Sequence, residues 1–373
     1  MIIHAYPARS NIAANPYNHL LSDGLEALGW QVREPAVGQA FAEPADIVHI
    51  HWPQAALNQP AAIAIRRAAR LFATLSAQRR RGAKIVWTAH NIDSHDSRRP
   101  RLERLFMQQI AGLLDGLIVL SDASRDRAIK VYPQLARLPW KTVPHAIYGD
   151  AYPKARTRDA ARTHFGVTGE RPVVGIVGDL KPYKGLDIVL RALEDMRPRT
   201  VTALVAGRFP DADCRDAAMR QIDGARTAGH DVALHEGRLD NQEMVDALAT
   251  CDALLLPYRN AMNSGLAILA IERETPVLMA ANPALRELER EVGSPLVKTS
   301  ARFDAPTIAD FAAHAHEQRS ALDSAAFRAE RAIAASAALT DRFFRSLIPD
   351  SPFGLRDTDT PTPIDRAVEK TAA

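Results

Sequence analysis

The sequence predicts an α/β protein of two similarly built domains, each a doubly wound parallel sheet with helices on both faces. Three observations predict it. The chain has 373 residues, more than one hydrophobic core usually organises. Two successive series of short apolar runs alternate with stretches of helical spacing, the pattern of parallel strands buried on both sides. Between the series, from Ala146 to Arg171, the chain carries Gly149, Pro153 and mixed charge, as a connection would.

The first series opens with a strand at Met1–Tyr6, followed by a polar loop, Pro7 to Tyr17, that contains Asn11 and Asn15. His19 to Leu28 has helical spacing and Gly29 ends it. Further strands are predicted from Trp30, over Asp46–Trp52, Lys84–Thr88 and Gly116–Leu120, and around Pro139–His145. The second series begins at Pro172–Gly178 and continues through Thr200–Gly207, Asp231–His235, Asp252–Leu256 and Pro276–Met279. From Thr307 to Leu347 the chain is Ala-rich and helical in period, and the segment after Arg331 could reach back across the first domain. After Pro349 it turns Asp/Thr/Pro-rich, which predicts disorder. The domains are thus expected at 1–150 and 172–325, with a returning helix at 326–348 and a disordered tail at 349–373.

Composition limits the function classes. A hydrophobic content of 47% and a charged content of 24% describe a soluble globular chain, and a net charge of +3 does not by itself call for nucleic acid. Cys214 and Cys251 stand in no CxxC or Cys/His cluster, so no disulfide framework or zinc site is predicted and a reducing compartment fits. Met1–Tyr6 lacks the basic start and long apolar run of a signal peptide. No stretch approaches about 18 uninterrupted apolar residues, so no transmembrane helix is expected.

Several loops carry chemistry. Gly178-Asp179-Leu180-Lys181-Pro182-Tyr183-Lys184-Gly185 joins a strand to a helix, where amides and the ammonium groups of Lys181 and Lys184 could face a phosphate; a solvated turn would read the same, and the pattern is neither a P-loop nor GxGxxG. Gly207 and Arg208 end the next strand, where a glycine allows close backbone approach and a second cation stands at the same sheet edge. Around Arg238 and Leu239, backbone groups could meet a base edge, or the segment is a plain capped turn with Asp240 as the cap. Tyr258, Asn263, Ser264 and Gly265 lie in a polar loop between an apolar strand and a helix, and that helix start suits an anion. In the first half, His90 and Asp93 follow a strand and could supply a general base, against the structural role a lone histidine more often has. Asn15, Tyr17, His51 and Trp52 could line a sugar site, or simply pack. The helices that carry Arg66, Arg67, Arg70 and, later, Arg101 and Arg104 beside Leu and Phe suit an anionic membrane face as well as a solvated one.

Taken together, these residues resemble the GT-B glycosyltransferases over most of the chain. The resemblance implies two Rossmann-like domains facing a central cleft, with an acceptor on the first and a nucleotide sugar on the second, and no obligatory metal or other cofactor. Lys184-Gly185 looks like the family's phosphate-binding turn, Gly207 its next glycine, Gly237-Arg238-Leu239 the segment that meets the base, and Leu256-Pro257-Tyr258 with Ser264-Gly265 the region that holds diphosphate and sugar. Two features depart from the retaining family-four pattern. Its pair of glutamates is absent, with Met262 and Ala270 at about those places, and Asp179 replaces an arginine for which Lys181 is expected to substitute. The loop is similar instead to exopolysaccharide transferases of the xanthan β-mannosyltransferase type. The resemblance implies a hexosyltransferase, with inversion favoured over retention by the missing glutamate pair and GDP-mannose favoured as donor ahead of UDP sugars. Its acceptor would be a lipid-linked saccharide at the cytoplasmic membrane face, and its base His90, with Asp93 in reserve. A nucleotide-sugar epimerase of the same fold and a non-catalytic carbohydrate-binding protein are the alternatives from other classes.

Overall fold

The computed structural model describes residues 1–35, 43–92, 99–259 and 261–348. Asp93 and the Asp/Thr/Pro-rich tail therefore lie outside the described residues. Two six-stranded sheets, all their pairings parallel, organise the chain. The first contains β1 (Ile2–Tyr6), β2 (Gln31–Arg33), β3 (Ile47–Ile50), β4 (Lys84–Ala89), β5 (Gly116–Val119) and β6 (Trp140–Thr142), in the order β2-β1-β3-β4-β5-β6. The second contains β7 (Val173–Val177), β8 (Thr202–Gly207), β9 (Val232–Glu236), β10 (Ala253–Leu256), β11 (Val277–Ala280) and β12 (Val297–Ser300), in the order β12-β11-β10-β7-β8-β9. Both are doubly wound. Their winding reverses between β1 and β3 in one domain and between β7 and β10 in the other, where the loops after the strands part and leave a crevice.

The strands form where the apolar runs predict them, because a sheet covered on both faces needs continuous rather than alternating hydrophobicity. β3, β5, β7, β8 and β10 are buried at every residue. Boundaries contract where backbone geometry intervenes. The run predicted to Trp52 ends at Ile50, since Pro53 opens a 3₁₀ turn, Pro53–Leu57. β12 is an addition: Val297-Lys298-Thr299-Ser300 has one buried apolar residue and joins the sheet through its register with β11.

Among the described residues after the second sheet, the chain forms three α-helices, Ala305–Gln318, Ala325–Glu330 and Ile333–Leu347. The last lies on the first domain. Ala337 packs against Gly24, and Phe343 and Leu347 sit against Gly116 so closely that a side chain there would collide. The Trp30 indole donates to Asp341 at 2.7 Å, and its ring meets Phe344 edge to face. Trp30→Phe keeps the ring packing and deletes that charge-assisted bond. We expect a loss of about 1–3 kcal/mol in unfolding free energy, read as a lower urea midpoint; an unchanged midpoint would show that the helix is held by packing alone.

Candidate active site

The second domain's strand ends converge because their backbones touch. Gly207 ends β8 with φ at +150°, and a Cβ there would stand 1.8 Å from the Gly178 carbonyl oxygen. No side chain fits. The Gly178 amide donates to Ala206, Leu180 to Arg208, and Gly237 to Gly207, so the loops after β7, β8 and β9 are laced into one ledge. Across the switch point Gly185 packs on the Pro257 carbonyl. Arg259 fastens this junction: its amide donates to Tyr183, and its guanidinium to the Pro182 carbonyl and the Asp187 carboxylate.

The ledge and the first domain enclose a cleft of about 450 Å³. Lys181, Lys184, Arg208, Arg238, Leu239, Tyr258, Asn263, Ser264 and Gly265 all line it, and so does Asn15 from the first domain. The Lys184 ammonium is tucked under the Gly178 turn, 3.5 Å from the Val177 carbonyl. Burial brings its pKa down to about 8, with Asp179 opposing and Lys181 adding to the fall. Arg208 pairs with Asp179 at 3.1 Å, and Arg238 crosses the cleft to the Ala13 carbonyl at 2.5 Å.

Ser264 caps the Gly265–Glu272 helix by accepting from the Ala267 amide. Gly265 and Leu266 open that helix at the cleft wall, and amides at a helix start have no partner in the helical ladder. Gly265 is required there, because a Cβ would stand 2.3 Å from the Tyr148 hydroxyl and 3.7 Å from His145 Nε2. At the other end of the helix, buried Glu272 accepts from the Tyr148 and Gly149 amides at 2.9 and 2.8 Å. One short helix thus presents its N-terminus to the cleft and uses its last residue to hold the crossing chain.

Other expected residues sit elsewhere. Gly207 is in the ledge but does not line the cleft; its role is the contact with Gly178. His90 lies beneath the cleft rather than at its mouth. Its Nε2 is 3.0 Å from His51 Nδ1, its ring stacks on Trp52 at 4.3 Å, and the residue that reaches the cleft from that strand end is Asn91. Tyr17 and His51 are buried in the same layer, because the Tyr17–Ala27 helix turns its first ring inward onto His90 and His145. Trp52 lines a different cavity, a first-domain groove of about 840 Å³ shared with Arg66, Arg67 and Arg70. Sequence reasoning misses Tyr148 and Tyr152, which line the cleft from the interdomain connection; an aromatic pair in an otherwise polar linker is the available signal. The domains also meet through Asn263, which donates to the His90 carbonyl, and Glu287, which accepts from the Asp122 and Ala123 amides.

The comparisons with known proteins agree with this geometry. Residues 171–315 match the family described as Glycosyl transferases group 1. A GDP-mannose:glycolipid 4-beta-D-mannosyltransferase of Xanthomonas campestris pv. campestris is 23% identical over 290 residues, 76% of this chain and 75% of that protein. The chain is a glycosyltransferase of the GT-B fold. A D-inositol 3-phosphate glycosyltransferase of Saccharomonospora viridis is 26% identical over 219 residues, 55% of this chain and 50% of that one. Among solved structures, HepE of Anabaena in complex with UDP-glucose superposes on the glycosyltransferase with a TM-score of 0.66 at 15% identity, covering 92% of this chain and 98% of that one. A sucrose-phosphate synthase of Thermosynechococcus elongatus gives 0.63 at 14% identity, covering 93% and 99%.

The buried histidine layer predicts a loss of stability in acid. Burial lowers His49 to about 3 and His145 to about 4, and holds His51 and His90 well below 6.5. The unfolded chain then binds more protons than the folded one below pH 6.5, so stability is fully present above that pH and is lost as pH falls towards about 4. Each proton contributes a slope of about 1.4 kcal/mol per pH unit. Unfolding free energy measured from pH 7 to 4.5 should fall with a slope above one proton, and a flat profile would contradict the buried neutral layer. Gly265→Ala should lower the melting midpoint, and Tyr148→Phe should remove most of that cost, because the ring carbon stands 3.5 Å from the new methyl; equal costs in both backgrounds would contradict the contact.

Proposed function

We propose that the glycosyltransferase binds a nucleotide sugar in this cleft and transfers its hexose, mannose from GDP-mannose in the first instance, to a lipid-linked saccharide. The observation that carries the proposal is the convergence of the Lys184 ammonium, Arg208 and the helix start at Gly265 and Leu266 on one cleft. A departing nucleoside diphosphate gains negative charge as the glycosidic bond breaks. Ammonium, guanidinium and amide groups held at such a site stabilise that charge. The name of the Xanthomonas relative supports mannose and a glycolipid acceptor, and HepE, a protein of the same fold in complex with UDP-glucose, supports a nucleotide sugar as donor.

The acceptor side of the proposal uses the first-domain groove. Trp52 offers a ring for a sugar face. Arg66, Arg67 and Arg70 come from the Ala61–Arg80 helix, which also exposes Ile63 and Ile65. Exposed isoleucine beside arginine suits an anionic leaflet. No helix among the described residues is long and apolar enough to cross a membrane.

Three measurements test this reading. In a titration with nucleoside diphosphates, GDP should bind most tightly; no binding by any of them would contradict the donor assignment. Lys184→Ala should weaken that binding about ten- to hundredfold, the worth of a charged hydrogen bond, and unchanged affinity would remove Lys184 from the site. Replacing Arg66, Arg67 and Arg70 by Ala should weaken binding to phosphatidylserine vesicles about a hundredfold, at about 1 kcal/mol per arginine; equal binding would place the membrane contact elsewhere.

A further inference from the structure

We propose that His164, His235 and Glu243 form a binding site for a divalent transition metal of the zinc class, outside the catalytic cleft. Their side chains come from three elements: the last residue of the Arg158–His164 helix, the strand β9, and the first turn of the Asn241–Thr250 helix. One ligand atom from each lies within 4.8 Å of the others. His235 Nε2 is 3.4 Å and His164 Nε2 3.9 Å from the same oxygen, Glu243 Oε1. Two ligands of a tetrahedral zinc ion, each about 2.0–2.1 Å from the metal, are about 3.3 Å apart. The His235–Glu243 edge already has that length. His164 is exposed and can close the remaining distance by a side-chain rotation.

The carboxylate is already held for this purpose. Glu243 Oε2 accepts from the Asp240 amide at 2.9 Å in a capping box, which leaves Oε1 turned to the two imidazoles. A partner that fixes a ligating carboxylate is the usual outer layer of a metal site. Phe165, buried beside them, meets both rings edge to face, at 4.9 and 5.0 Å. Ion pairing alone explains the cluster less well. It would set two imidazolium groups against one oxygen, whereas a dication attracts both neutral nitrogens and the carboxylate. Two histidines and one carboxylate suit zinc, and a water completes the fourth position.

The place of the site gives the metal a structural consequence. The helix that ends at His164 belongs to the interdomain connection. His235 and Glu243 flank the turn whose Arg238, Leu239 and Asp240 line the cleft. A bound ion would clamp that turn to the connection and steady the cleft wall without touching the reacting atoms.

The test is equilibrium dialysis of the full, tag-free chain against Zn²⁺, with Co²⁺ absorption to report the coordination. His164→Ala and Glu243→Gln are the variants. His164 is exposed, and the carboxamide oxygen of the glutamine side chain can still accept from the Asp240 amide, so neither change threatens the fold. We expect one equivalent of Zn²⁺ and a tetrahedral Co²⁺ spectrum, with affinity at least tenfold weaker in each variant. Absence of saturable binding, or binding unaltered by both substitutions, would overturn the proposal.

Discussion

The contact between the Gly207 α-carbon and the Gly178 carbonyl is the constraint from which the rest of the site follows. Backbone rests on backbone there, with no room for a methyl group. The approach brings the ends of β7 and β8 to one level, and the chain of amide bonds through Leu180 and Gly237 extends that level to β9. Only then can Lys184 fold back under the Gly178 turn while Arg208 and Arg238 stand beside it. The doubly wound order supplies the crevice; the glycines decide how closely its walls can be furnished with charge.

The other wall is fastened by groups that belong to neither sheet. Glu272 holds the Tyr148 and Gly149 amides, and Arg331 donates to the His145 carbonyl while it pairs with Glu291. Glu272 and Arg331 are buried, and both tie the crossing chain to the second domain. Their charges are tolerated because each finds several partners, as buried ions must. Behind this chain lies the layer of Tyr17, His49, His51, His90 and His145, which carries no charge near neutral pH. It backs the cleft with rings that pack like hydrophobic residues and still satisfy one another's polar atoms, as His51 and His90 do.

Much of this was legible in the sequence, and the reason differs by element. Buried parallel strands are continuous apolar runs, so Val173–Val177 and Thr202–Gly207 announce themselves; Val297–Ser300, a strand with one apolar side buried, does not. The Gly178–Gly185 loop was legible because glycine, lysine and a helix start occur together within a few residues. Whether His90, Tyr17 and His51 line the cleft was not legible, for the opposite reason. A histidine at a strand end points to the cleft or beneath it depending on the rotation of the strand and on what packs over it, here Trp52, and neither is written locally. Tyr148 and Tyr152 were missed because a linker has no period from which to infer a facing side. The Tyr148 backbone is placed by Glu272, 124 residues away along the chain.

In the proposed function, burial keeps the Lys184 ammonium destabilised until an anion joins it. ¹⁵N-lysine NMR, with Lys184→Met to assign the signal, reads that directly. We predict a Lys184 titration near pH 8 in the free protein and a marked upward shift once GDP is added. An ordinary lysine titration near 10.5, the same with and without the nucleotide, would contradict the account.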